Sequence, residues 1–423
     1  MIFFILGKNS ALSAAEIANV YKDAKIYIKK DAVLLDKNFD NGQKTVDRLG
    51  GVIKGGEIIS EMPLEKGKLE AKKIIINYIF DLVDKNKLSK DKKIYFGVSA
   101  YGRDGKLSNK GFIKFMAMEL KEKLKGKNIN SRWVISNENE LSSVVVQKNG
   151  LFREKNGIEI ILFEEDKCLY IGETLAVQDF QKYSKFDYGR PIRDARSGML
   201  PPKLSKMMLN IAGVERKKTI LDPFCGSGTI LQEALLMGYE DIIGSDLKKE
   251  AIDACEKNLE WLKTEVPELI KGRNLRLMNV SSEKLSGALK KNSCHAIITE
   301  PYLGPPIRKD CSLDIAFIIK NLSKLYLRSF KQFKEILVPG GVVVMAWPVF
   351  KAAGEGGEKF YRFMPLLDEV RETGFEMVRL MPYDLMQIAK TNFGKGAISK
   401  RETFIYARED QFVLREIVKF KKV

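Results

Sequence analysis

Three short segments carry residue types that could do chemistry together. LDPFCGSGTI (221–230) runs from an apolar stretch into a helix-like one, with Asp222 at the junction and Gly226 and Gly228 in the bend. Glycines there permit a tight turn and let a ligand come close to the backbone. The bend is neither a G-x-G-x-x-G fingerprint nor a phosphate-binding loop, since no Gly-Lys-Ser/Thr follows. Asp246 closes the next apolar run, DIIGSD. A carboxylate there can accept hydrogen bonds from both hydroxyls of a ribose. The order suits an adenosine with an amino-acid tail: Asp222 and loop amides at the tail, Asp246 at the ribose, apolar side chains around the adenine.

The third segment is TEPYLGPP (299–306), at the exit of the apolar run HAII. Such exits are where open α/β sheets build their sites. Thr299 brings a hydroxyl, Glu300 a carboxylate and Tyr302 an aromatic ring, and Pro301 and the following Gly-Pro-Pro stiffen the turn. Other chemistries find less support. The single histidine, His295, lies inside SCHAII and reads as a packed core residue. The five cysteines form no CxxC pair, which argues against a Cys/His zinc site and a disulfide framework; no metal is expected.

Elements must hold these segments in place. From residue 219 onward apolar strands and amphipathic helices alternate, which predicts a mostly parallel sheet with helices on both faces. Upstream, the first ~65 residues read as a small α+β unit, with strands at MIFFILG and AKIYIKKDAVLLD and a helix at ALSAAEIANVYK. A helical run at 68–85 opens a second α+β block, with strands expected at KKIYFGVSAYGR, RWVIS, SSVVVQKNG, GIEIILFEED and CLYIGETLA and a helix at 109–125. The Gly-, Pro- and Arg-bearing stretch 177–203 reads as a linker whose aromatics and arginines could wall the site. LSKMMLNIAG reads as a helix stopped by Gly213.

Two resemblances follow from these motifs. DPFCGSG with Asp246 resembles the class I S-adenosylmethionine-dependent methyltransferases, whose amine-methylating members carry [D/N]PP[Y/F] where this chain has TEPY. YIGETLAVQDF, YSKFDYGRPIRDARSGMLPPKLSKMMLNIA and SSVVVQKNG look like the THUMP-domain tRNA (guanine-10) N2-methyltransferase family, closely over roughly 140–235 and loosely elsewhere. The resemblance implies an α/β fold with a ferredoxin-like domain (1–67), a THUMP-like RNA-binding domain (68–176), a linker (177–203) and a Rossmann-like catalytic domain (204–423). It implies S-adenosylmethionine bound by Asp222, Pro223, Phe224, Gly226, Gly228, Asp246, Leu247 and Ser281. It places the methyl acceptor against Thr299, Glu300, Pro301 and Tyr302. In the family an Asp or Asn oxygen and the first Pro carbonyl take the two amine hydrogens. Here Thr299 and Glu300 stand at those positions, and a lost charge-assisted bond would cost ~1.5–3 kcal/mol, about 10–100-fold in rate. A specialised site for another amine and a non-catalytic remnant are the alternatives at this motif.

Composition agrees with a polyanion partner. Lys plus Arg number 72 against 55 for Asp plus Glu, a net charge of +17. Excess of this size attracts nucleic acid, although many lysines alternate with Glu on helix-like stretches and read as solvated faces. Arg103, Lys106, Lys110, Lys114 and Lys148 are candidate phosphate contacts, and Tyr188, Arg190 and Arg193 candidates for the target nucleotide, which must leave the stack to be methylated. tRNA is the expected partner, and some relatives use a small activating subunit. A DNA amino-methyltransferase, or an RNA-binding protein that binds the cofactor without turnover, are the rival readings. No apolar stretch reaches the ~18–20 residues of a membrane helix, and MIFFILG lacks a basic flank for a signal peptide, so a cytoplasmic location is expected.

Overall fold

The computed structural model describes residues 1–39, 42–102, 109–165, 167–193, 199–306, 314–353, 359–394, 396–408 and 411–423. Contacts divide the chain into two compact units. One comprises Met1–Ser10, Asp23–Arg48 and Val52–Phe180; the other Ala11–Lys22, Leu49–Gly51 and Gln181–Val423. The first helix, α1 (Ser10–Val20), therefore belongs almost wholly to the second unit.

The first unit is built on one eight-stranded sheet. Its strands are β1 (Ile2–Leu6), β2 (Ile26–Ile28), β3 (Ala32–Leu35), β4 (Val52–Pro63), β5 (Ile94–Tyr101), β6 (Ser131–Val134), β7 (Gly157–Glu165) and β8 (Cys168–Val177). They lie in the order β2-β3-β1-β4-β8-β7-β5-β6, so a single sheet runs through the segments expected as ferredoxin-like and THUMP-like. Helices α2 (Gly42–Asp47), α3 (Gly67–Asp84), α4 (Lys110–Gly126) and α5 (Ser143–Lys148) accompany it. Apolar residues at helical spacing explain the packing: Ile75 and Ile79 of α3 and Phe112, Met116 and Leu120 of α4 bury against Phe96, Ile160 and Ile171 of the sheet. Asn109 caps α4, accepting from the Phe112 amide at 3.0 Å. SSVVVQKNG, expected as a strand, forms α5 instead, because Ser142 caps it through the Val145 amide.

The second unit contains α6 (Phe180–Tyr188), α7 (Pro202–Ala212), β9 (Ile220–Asp222), α8 (Thr229–Leu236), β10 (Asp241–Ser245), α9 (Lys249–Glu265), α10 (Pro267–Ile270), β11 (Asn274–Met278) and β12 (Cys294–Thr299). It continues with α11 (Ile315–Ile336), β13 (Leu337–Ala353), β14 (Lys359–Arg362), α12 (Leu367–Glu372), β15 (Phe375–Met377), α13 (Tyr383–Phe393), β16 (Phe404–Tyr406) and β17 (Val413–Lys422). The sheet order is β11-β10-β9-β12-β13-β17-β15. The five strands from β11 to β13 are parallel, and β17 is antiparallel to β13, β15 and β16. The order reverses between β9 and β12: β10 lies on one side of β9 and β12 on the other. At such a switch point the connections leave in opposite directions and open a crevice beyond the strand ends. The core beneath it is aromatic, with Tyr326, Phe330 and Phe333 of α11 packed on Trp347 and Phe420. Among the described residues no helix is long and apolar enough to cross a membrane.

Candidate functional site

Both chemical segments end at the switch point. β9 delivers Asp222, and the loop from Pro223 to Gly228 leads into α8. Gly226 (φ +50°) and Gly228 (φ +91°) both take the left-handed conformation, which a residue with a Cβ adopts only at a cost. A Cβ on Gly226 would meet no protein atom within 4 Å, so the loop leaves room for a ligand there. A Cβ on Gly228 would lie 2.6 Å from Cys255 Sγ of α9, so that glycine serves close packing.

Two carboxylates shape the loop. Asp246, at the tip of β10, accepts from the Gly226 amide at 3.1 Å and from the Lys248 amide at 2.9 Å. Leu247 beside it is exposed, and Ser281 caps the short turn that follows, accepting from the Glu283 amide. Asp222 is only 2% exposed and accepts from the Phe224 amide. Burial pushes its carboxyl up to about 7, against the hydrogen bonds it receives and helped by the negative charges of Asp246 and Glu300.

Thr299, at the tip of β12, joins the two segments: its hydroxyl donates to Asp222 Oδ1 at 2.7 Å. The ends of β9 and β12, from which the glycine bend and the TEPY turn leave, are thus joined side by side. Thr299 is fully buried, so its hydroxyl is engaged with Asp222 rather than presented. Glu300 is paired with Arg415 of β17, whose Nε and Nη2 donate to its two oxygens, the second at 3.3 Å. Burial raises the Glu300 carboxyl, and Arg415 opposes that rise, with a smaller contribution from Arg408. Pro301 is buried. Tyr302 is 56% exposed while its carbonyl accepts from the Tyr326 hydroxyl at 2.7 Å. The backbone is thereby fixed and the ring left available.

The stretch expected as a linker contains α6 and then lies against the glycine loop. Arg190 is 3% exposed and donates to Thr229 Oγ1 at 2.8 Å, at the start of α8, so it braces the loop's helix rather than reaching outward. Asn258 of α9 exchanges hydrogen bonds with Ile192 and also donates to the Ser227 carbonyl, each at 2.9 Å. Tyr188 and Arg193 are both exposed, with the guanidinium 4.8 Å from the ring centroid. Lys110 and Lys114 are exposed on α4, and Lys148 is exposed at the end of α5. Arg103 and Lys106 lie outside the described residues. Sequence reasoning missed Arg415, Tyr326 and Asn258, which lie on other elements far along the chain and carry no local motif.

The fold is that of the Rossmann-like methyltransferases. A crystal structure of TrmN from Thermus thermophilus superposes over 100% of this chain and 99% of its own with a TM-score of 0.53 at 12% identity. Residues 190–349 match the family described as RMKL-like, methyltransferase domain, and residues 83–257 match a family described as DNA methylase. A tRNA (guanine(10)-N2)-dimethyltransferase of Methanothermobacter thermautotrophicus is 32% identical over 153 residues, 36% of this chain and 39% of the relative. One of the same name from Methanocaldococcus jannaschii is 25% identical over 193 residues, 45% and 49% respectively. The chain thus spans less than half the length of these curated relatives.

Proposed function

We propose that the chain transfers a methyl group from S-adenosylmethionine to the exocyclic N2 amine of a guanosine in tRNA, at the position named by its relatives, position 10. The observation that carries this reading is the Thr299–Asp222 hydrogen bond, which joins the strand ends that lead into the glycine bend and the TEPY turn at the switch point. Two observations support the cofactor: Gly226 leaves space at the bend, and Asp246 at the tip of β10 is held beside that bend, where it would face the ribose. Asp222 is a buried carboxyl that a cationic tail would stabilise in its charged form. Bound there, S-adenosylmethionine supplies an electrophilic methyl group. Pro223, Phe224, Leu247 and Ser281 complete its surroundings. The chain's own contribution is aim: Tyr302 stacks on the base, and the fixed turn orients the amine.

In this reading 1–67 is the ferredoxin-like part and 68–176 the THUMP-like, tRNA-gripping part, with Lys110, Lys114 and Lys148 on phosphates; Tyr188 and Arg193, in the segment after it, face the flipped nucleotide. A cytoplasmic setting and use of a small activating subunit belong to the same reading. Amine methylation of DNA has one observation in its favour, the DNA methylase match; that match ends at residue 257, before the TEPY turn. The test is transfer of labelled methyl to unmodified tRNA transcripts, followed by nucleoside mass spectrometry. N2-methylated guanosine is expected. N6-methyladenine or N4-methylcytosine formed in DNA instead would replace this reading, and cofactor binding without product would leave a binding protein.

A further inference from the structure

β13 does not stop where β12 does. Thr299 lies in register with Met345, and β13 runs on to Ala353. Lys351 comes six residues after Met345, roughly 20 Å further along the strand. β14 and the start of β17 flank this extension. Tyr361 of β14 pairs with Lys351, and on the other side the Lys351 amide donates to the Phe412 carbonyl at 3.3 Å. Residues directly opposite in antiparallel strands share a face. The row Tyr361–Lys351–Phe412 therefore presents two rings with a cation between them. All three are exposed, Tyr361 by 46% and Phe412 by 36%, whereas Phe350 in the preceding row is buried. Single exposed rings are ordinary on a protein surface, but two set about a lysine in one row form a patch.

The row is held in place from both sides. Arg401 donates to Glu416 of β17 at 2.6 Å and to the Met364 carbonyl after β14 at 2.9 Å, with its guanidinium 5.2 Å from the Phe363 ring centroid. Lys351 Nζ donates to the Gln411 carbonyl at 2.7 Å, which leaves it further hydrogens for an incoming acceptor. The Gln411 side chain accepts from Arg415, the partner of Glu300, at 3.3 Å, so the row is tied to the TEPY turn. Arg408, also exposed, lies near enough for its charge to act on Glu300. The surface that continues from the turn is thus aromatic and cationic, in a chain of net charge +17. Exposed rings stack on bases of any sequence, and a lysine between them meets phosphate. Paired and stacked bases hide their faces, so the occupant must be unpaired. We propose that the row Tyr361–Lys351–Phe412 docks an unpaired stretch of the substrate RNA near the target nucleotide, with bases on the two rings and a phosphate on Lys351. This deepens the proposed function and rests on it.

The test pairs RNA binding with turnover in the full chain. Tyr361→Ala combined with Phe412→Ala should weaken binding of an unmodified tRNA transcript and of a short oligouridylate about tenfold or more, the scale of a lost base stack, and leave binding of a short RNA duplex unchanged. In methyl transfer the same variant should raise KM for tRNA by a similar factor, with kcat and cofactor affinity within about twofold of wild type. Lys351→Gln should lower the slope of log affinity against log salt by about one. Tyr361→Phe, which keeps the ring, should bind like the wild type. A folded double variant that binds both single-stranded probe and tRNA as tightly as the wild type would overturn this inference alone, as would an equal loss on the duplex or a fall in kcat at unchanged KM. Ring-dependent RNA binding without any methylated guanosine would overturn the proposed activity and leave the docking row standing.

Discussion

Asp222 is the residue whose environment makes the most definite demand. Its carboxyl is raised from the usual range near 4 to about 7 by burial. The folded state therefore prefers the protonated form. That contribution to stability is complete below about pH 4 and is lost as pH rises through 7. At ~1.4 kcal/mol per pH unit across that window, the ceiling is about 4 kcal/mol. Denaturant melts from pH 4 to 8 should show the wild type losing stability relative to Asp222→Asn, which cannot ionise; parallel curves would remove Asp222 as the cause. The same geometry makes affinity for a cationic ligand rise over pH 6–8 in the wild type and stay flat in the variant. A motif search finds Asp222, but its raised carboxyl comes from burial among segments that only the sheet order brings together, with Asp246 and Glu300 adding to the rise and the Thr299 hydroxyl opposing it.

At the scale of elements, the glycine bend separates packing from ligand access. Gly228→Ala combines a left-handed alanine with a contact to Cys255, and should destabilise by about 2–4 kcal/mol. Gly226→Ala has the backbone cost alone, about 1 kcal/mol, but puts a methyl into the open side of the loop. Urea denaturation with cofactor titration should find stability lost mainly in the first and affinity mainly in the second. Equal losses of both kinds in both variants would contradict the division. The elements around this bend were largely legible, because α8, α9 and the parallel strands carry clean apolar periods. Elsewhere local chemistry overrode the pattern. The valines of SSVVVQKNG favour a strand, yet the Ser142 cap starts a helix. β17 was harder to read, since three of its charged residues are buried: Arg415 on Glu300, Glu416 on Arg401, and Lys419 on the Ile211 carbonyl. Partners that far away cannot be inferred from a window of sequence.

At the scale of the whole molecule, chain order and compact units disagree at two early segments, Ala11–Lys22 and Leu49–Gly51, and these make a prediction. Helix α1 lies early in the chain but belongs to the unit that holds the crevice. Its Glu16 is fully buried and accepts from the Gly50 amide at 2.7 Å, the Gly51 amide at 2.8 Å and Asn210 Nδ2 of α7 at 2.7 Å. Asn19 donates to the Leu380 carbonyl at 2.6 Å. A fragment beginning at Gln181 keeps every motif of the crevice but loses α1 and the Gly50–Gly51 amides. It leaves the Asn210 amide without that acceptor and uncovers the apolar surface of α7. A lost partner for a buried polar group costs ~1–3 kcal/mol, and an uncovered helix face adds several more, a large share of ordinary net stability. The 181–423 fragment should therefore melt at least 10 °C below the full chain or without a cooperative transition, and Glu16→Leu in the full chain should move in the same direction by less. A fragment that melts cooperatively within a few degrees of the intact protein would mean that α1 contributes little to this unit.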